Sequence, residues 1–314
     1  MAGLHPQAKA LIEAAQAANL TPWHKISVEE ARAAFRDQRD AAQGKPPGVG
    51  QVINRMLSVA DRYIPVRIYR PEGAESEKLP IYVHFHGGGW VLGDLDSHDI
   101  LCRSICIQSE ALVISVDYRL APEYVFPSAL DDAWDSVCWI VNNGDELNAD
   151  TSRIAIGGDS AGGALAATVC RRARDKGATK ICFQVLVYPV TDMTLSHPSM
   201  IEMGEGYNLT HDIMMWFRSL YLPDSNRWTD PDASPIHADD LTGLPSALVI
   251  AAGFDPLRDE AKAYADALRT AGVTVEYVCY DSMIHGFLNM PAILDDGRAA
   301  TTHVAAAIKA AIGE

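Results

Sequence analysis

Gly158-Asp159-Ser160-Ala161-Gly162 limits what this chain can fold into more than any other stretch. Ahead of it, Arg153-Ile154-Ala155-Ile156-Gly157 reads as a short buried strand. Behind it, Gly163 to Cys170 has the Ala/Leu content of a helix. A serine on so sharp a strand-to-helix turn sits in a strained backbone conformation with its hydroxyl exposed. Small neighbours leave room for the turn, and the helix start behind it offers free N–H groups and a positive dipole end. The segment therefore reads as a nucleophile, Ser160, carried on a parallel sheet.

A nucleophile needs a base, and the base needs an orienter. On a strand-turn-helix scaffold of this kind the acid follows the serine in the chain and the histidine follows the acid. Ser246 to Ala252 is an apolar run that reads as a buried parallel strand, and Asp255 comes directly after it. Val273 to Tyr280 alternates like a strand, and His285 lies on the loop beyond. Taken alone, Asp255 could cap a helix ahead of Pro256, and His285 could be a turn residue before Gly286. Arriving in the required order at consecutive strand ends, they read as a catalytic pair.

The third element is His84-Phe85-His86-Gly87-Gly88-Gly89-Trp90, which follows the strand Pro80-Ile81-Tyr82-Val83. Three glycines let the main chain approach a substrate and turn N–H groups inward. An N–H of such a loop, with that of the residue after the nucleophile, here Ala161, makes an oxyanion hole. No Gly-Lys-Ser/Thr follows, so this is not a phosphate loop, and the spacing of a dinucleotide fingerprint is absent. His84 and His86 alternate onto one face, as metal ligands would. No further Asp/His cluster is evident in the sequence, so a metal is not expected.

These motifs resemble those of the hormone-sensitive-lipase family of α/β-hydrolases, the bacterial family IV esterases, in the branch carrying Gly-Asp-Ser-Ala-Gly-Gly. Asp117-Tyr118-Arg119-Leu120-Ala121-Pro122-Glu123, Asp255-Pro256-Leu257-Arg258-Asp259-Glu260 and His285-Gly286-Phe287 are similar to further segments of that family. The resemblance runs from about Ile64 to the end. It implies a Ser160, His285, Asp255 triad, oxyanion donors at Gly88, Gly89 and Ala161, hydrolysis of short- to medium-chain carboxylic esters, and no cofactor. Some small-molecule receptors on this fold lack the triad histidine, so its presence argues against a receptor. An amidase, deacetylase or formamidase using the same triad stays open.

From Ile64 onward strand-like runs alternate with amphipathic helices, the pattern of a mostly parallel sheet with helices on both faces. Strands are expected at 66–69, 81–85, 112–116, 154–157, 183–188, 247–251 and 273–280. Helices are expected at about 100–109, 127–142, 162–176, 257–271 and 298–312. Residues 1–45, helical around Trp23, and residues 191–237 break the rhythm. The resemblance implies that they form a helical cap on a single α/β-hydrolase domain spanning 1–314. Candidate pocket walls are Trp90, Tyr188, Tyr207, Met214, Met215 and Phe287.

The net charge of −15, from 26 basic and 41 acidic residues, argues against nucleic acid and anionic membrane surfaces as partners. No apolar run reaches membrane-spanning length and no secretion signal is evident. Six scattered cysteines read as reduced core residues of a cytoplasmic protein. The strand at 273–280 reads as last in the sheet. Its free edge invites a two-fold homodimer unless the C-terminal helix covers it.

Overall fold

The computed structural model describes residues 3–74, 76–177 and 181–313, with the backbone alone at position 40. Helices α1 (Pro6–Ala17) and α2 (Val28–Gln43) lead into an eight-stranded sheet. Its strands are β1 (Gln51–Val59), β2 (Arg62–Arg70), β3 (Leu79–Phe85), β4 (Leu112–Val116), β5 (Ala149–Asp159), β6 (Ile181–Val187), β7 (Ser246–Phe254) and β8 (Val275–Ile284). The remaining helices are α3 (Asp99–Ser109), α4 (Ser128–Asn142), α5 (Ala161–Lys176), α6 (Pro198–Glu202), α7 (His211–Tyr221), α8 (Arg258–Thr270) and α9 (Asp295–Ile312). The sheet order is β1-β2-β4-β3-β5-β6-β7-β8. The β1–β2 and β2–β4 pairings are antiparallel and all others parallel.

The central strands are apolar on both faces because helices cover both. Val113, Ala155, Val185 and Leu248 point into one cluster with Leu101 and Ile105 of α3 and Val304 and Ile308 of α9. Their neighbours Ile114, Ile156, Leu186 and Val249 point the other way, onto Leu130 of α4, Leu165 of α5 and Leu268 of α8. This alternation is the period of two expected of strands. Burying each of the Val, Leu and Ile side chains contributes ~1.5–3 kcal/mol, which fixes the register on which the site is built.

One strand was not anticipated. β1 is largely exposed, Val52, Ile53 and Met56 included, and pairs only with β2. Its first residues are exposed on both faces and only Leu57 and Val59, at its end, turn into the core, too short an alternation for period to mark it. β8 lies at the opposite edge of the sheet, with β7 as its partner. No helix among the described residues is long and apolar enough to cross a membrane.

Candidate active site

The site is assembled where β3, β5, β7 and β8 end, at the carboxyl edge of the parallel strands. β5 runs straight into Ser160, whose φ of 56° and ψ of −119° are unusual for a residue with a side chain. The Ser160 N–H donates to the Val187 carbonyl at 2.8 Å, and its carbonyl accepts from Gly163 at 3.0 Å. A Cβ at Gly162 would overlap the Phe85 carbonyl, so only glycine lets α5 start this close to β3. No acidic residue occupies the first turn of α5, which leaves its positive end free for a developing anion.

Asp255 follows β7 and is fully buried. One oxygen accepts from the Leu257 N–H at 2.8 Å, holding the turn into α8; the other lies 2.7 Å from His285 Nδ1. The turn-capping and orienting readings of Asp255 are thus both realised, one per oxygen. A carboxylate only accepts, so the proton is assigned to Nδ1, and Nε2 faces Ser160 Oγ at 3.1 Å with its lone pair. Tyr188 packs its ring 4.5 Å from the His285 ring, and Asn208 Nδ2 donates to the His285 carbonyl at 3.0 Å.

The glycine loop lies across from the serine. Gly88 and Gly89 have φ of 122° and 62° and line the same cavity as Ser160 and His285. Among the described residues, the N–H groups of Gly88, Gly89 and Ala161 have no acceptor in a turn, cap or side chain. The loop is held from behind by Asp159. One of its oxygens accepts from the Gly87 N–H and from His98 Nε2, both at 3.0 Å; the other accepts from Asn289 Nδ2 at 2.8 Å. Burial by itself would raise the Asp159 carboxyl, but His98 and its other partners outweigh it and hold the group well below the usual carboxylate range. His98 is pushed down to about 4 and His84 to about 3, chiefly by burial, so both rings are neutral at neutral pH.

His84 and His86 do not act as a pair. His86 stacks on Tyr118 at 4.2 Å and bonds its own loop through the Gly87 carbonyl. His84 instead joins His98 and Asp159, all buried, with potential ligand atoms within 4.8 Å of one another. The cluster that the sequence did not reveal thus exists, because the loop before α3 brings His98 in from a distance. In this arrangement the Asp159 oxygen nearest both rings is already hydrogen-bonded to Gly87 and His98.

None of the six expected wall residues lines the cavity over Ser160. Trp90 is buried and stacks on Tyr221 at 4.4 Å, fastening the glycine loop to α7. Phe287 packs into Tyr188 and Tyr280, and Tyr207 against Phe254. Tyr188 underlies His285. Met214 faces the core, whereas Met215 is 40 % exposed and contacts Arg218. The cavity over Ser160 is walled by Trp23, Phe35, Gln38, Arg39 and Ala42 of the N-terminal segment and by Leu209 and Phe217 of the second insertion. The spacing Ala31, Phe35, Arg39, Ala42 marks the buried stripe of α2 and is the sequence signal that could have found them.

A family model described as the alpha/beta hydrolase fold matches residues 82–289. The carboxylic ester hydrolase LipN of Mycobacterium tuberculosis is 46% identical over 253 residues, covering 79% of this chain and 67% of that protein. Carboxylesterase NlhH of the same organism is 41% identical over 79% of each chain. An alpha/beta hydrolase enzyme from the metagenome of Lake Arreo, Spain, superposes with a TM-score of 0.96 at 39% identity over 99% of both chains. The chain belongs to the α/β-hydrolase family, among its hormone-sensitive-lipase-like carboxylic ester hydrolases.

Proposed function

We propose that this protein hydrolyses short- to medium-chain carboxylic esters through an acyl-enzyme formed on Ser160. The observation that carries the reading is the relay of 3.1 Å from Ser160 Oγ to His285 Nε2 and 2.7 Å from Nδ1 to Asp255. As Oγ bonds to the ester carbonyl carbon, its proton passes to Nε2. Asp255 holds the ring in the tautomer that can accept it and stabilises the resulting cation. The carbonyl oxygen, now an anion, takes hydrogen bonds from the N–H groups of Gly88, Gly89 and Ala161. Collapse breaks the bond to the alcohol oxygen, which leaves with the proton from Nε2. Water then gives its proton to the same nitrogen as it attacks the acyl carbon; collapse breaks the bond to Oγ, which takes the proton back from Nε2, and the carboxylic acid leaves.

The N-terminal segment and residues 191–237 act as a cap that excludes water and sizes the substrate. The cavity volume, about 70 Å³, suits a small acyl group. Six free cysteines fit a cytoplasmic setting, and the β8 edge offers a surface for a two-fold dimer. A fluorophosphonate should label wild-type protein at Ser160 and leave Ser160→Ala unlabelled. An unlabelled wild type would overturn the reading. A monomeric mass at all concentrations would remove the dimer.

A further inference from the structure

One group in the cavity has no part in ester cleavage as such. Arg39 lies on the buried stripe of α2, is only 8 % exposed, and lines the cavity with Ser160 and His285. Its Nη1 is fully buried with no hydrogen-bond partner. The face of the guanidinium rests on the Phe35 ring at 4.6 Å. The acids nearest in electrostatic terms are otherwise engaged. Both oxygens of Asp159 are taken by Gly87, His98 and Asn289, and Asp94 binds the Ser97 N–H and faces Arg36 at 4.0 Å. Burial works against the Arg39 charge more strongly than these acids favour it.

The helix that carries Arg39 is fixed on both sides of it. Arg32 binds Glu123 at 2.7 Å and the Val91 carbonyl at 2.9 Å, and the Ala42 carbonyl accepts from Ala292 at 3.1 Å. A guanidinium cannot shed its proton to relieve burial, and a buried donor without an acceptor is costly. The fork of a guanidinium matches a carboxylate in two-point contact. A protein of net charge −15 repels anions in general, so admitting one requires a local cation. From the ester-hydrolase reading and this unpartnered cation, we infer that the preferred substrates are esters that also carry a carboxylate, in the acyl or the alcohol part, which Arg39 binds while Ser160 attacks. Arg39 is then a specificity-determining residue. A purely structural alternative would make it a strut balancing Asp159.

The test compares pairs that differ in charge but hardly in shape: monoethyl succinate against ethyl succinamate for the acyl side, and O-acetylglycolate against O-acetylglycolamide for the alcohol side. In at least one pair, wild type should favour the acid in kcat/KM. Arg39→Met should reduce that acid-to-amide ratio on the order of 10–100-fold, with Arg39→Lys between. The pair that responds locates the carboxylate. A strut would lower both members together and leave the ratio fixed; that result, or a wild type favouring the amides in both pairs, overturns the inference. Should Arg39→Met fail to fold, succinate should raise the wild-type melting temperature where succinamide does not, and equal shifts would refute the proposal. That binding measurement needs no turnover. If neither ester were cleaved and Ser160 resisted fluorophosphonate, the ester reading would fail, while the succinate shift would still judge Arg39.

Discussion

The strand-end frame and the proposed cap are held by different kinds of interaction. In the frame, Asp159 ends β5, Ser160, Asp255 and His285 sit on main-chain turns directly after β5, β7 and β8, and buried hydrogen bonds of 2.7 to 3.1 Å hold them. In the cap, Trp23, Phe35 and Phe217 are positioned by helix faces and ring contacts, such as the edge-on Trp23–Phe35 pair at 5.6 Å. A group fixed by hydrogen bonds tolerates almost no displacement before its chemistry fails. A group fixed by apolar packing can shift or be shortened and still enclose a ligand, at a different size. Frame substitutions should therefore act on turnover, and cap substitutions on which ester is preferred.

The sharpest test of the frame is the nucleophile. Ser160→Ala should lower kcat on the order of 10⁶-fold with the fold intact, since only one hydroxyl is removed. Asp255→Asn should cost on the order of 10⁴-fold, because an amide can hold the wrong imidazole tautomer. Steady-state hydrolysis of an acetyl ester, beside circular dichroism, checks both. Near-normal turnover in either variant would remove that residue from the triad.

Gly89 is where frame and cap meet. Its φ is 62°, and a Cβ there would run into the Phe217 ring. Gly89→Ala should lower kcat on the order of 10²–10³-fold by misplacing one oxyanion donor. It should also cost ~1–3 kcal/mol of stability through backbone strain. Adding Phe217→Ala removes the collision but not the strain, so part of the lost kcat should return. A double variant no better than Gly89→Ala would mean that the loop conformation, not the cap, controls the donor.

The same contrast explains what could be read from sequence. That Ser160, Asp255 and His285 meet was legible because a strand-turn-helix motif ties residue identity to backbone geometry. The walls were not legible from bulk alone: Met214 and Met215 are adjacent and equally large, yet one turns to the core and the other to solvent. Which face a cap helix presents is decided by the surface it packs on. His98 and Asn289 were missed for a related reason. They reach Asp159 only through tertiary folding, and no local spacing announces it.

In the cap, Phe217→Ala should enlarge the cavity and move the acyl-chain optimum to longer esters. Each methylene newly accommodated gains ~0.8 kcal/mol, about fourfold in kcat/KM. In wild type, chains that overfill the cavity meet a penalty of roughly 1–3 kcal/mol. Met215→Ala, outside the cavity, should leave the optimum in place. A panel from acetyl to decanoyl esters decides the matter, and an optimum unmoved by Phe217→Ala would take that ring out of the acyl wall.

The smallest effect concerns stability and sharpens the account of the frame. His98 and His84 have folded-state values of about 4 and about 3, both below the ordinary histidine value near 6.5. As pH falls through 6.5 the unfolded chain takes up these protons while the folded protein does not, until about 4. Their contribution is thus fully present above 6.5 and lost as pH drops from 6.5 toward 4. Asp117 works in the opposite sense. Burial, with Asp94 and Asp96 nearby, pushes it up to about 6, so its contribution is present below its unfolded value and lost as pH rises through 6. Glu260, raised by burial, shares that sign. His98→Asn keeps a donor for Asp159 but removes one titrating ring. Its melting temperature should fall a few degrees less than that of wild type between pH 6.5 and 4.5, measured by calorimetry in matched buffers. Parallel curves for the two proteins would mean that His98 is not held neutral behind the glycine loop.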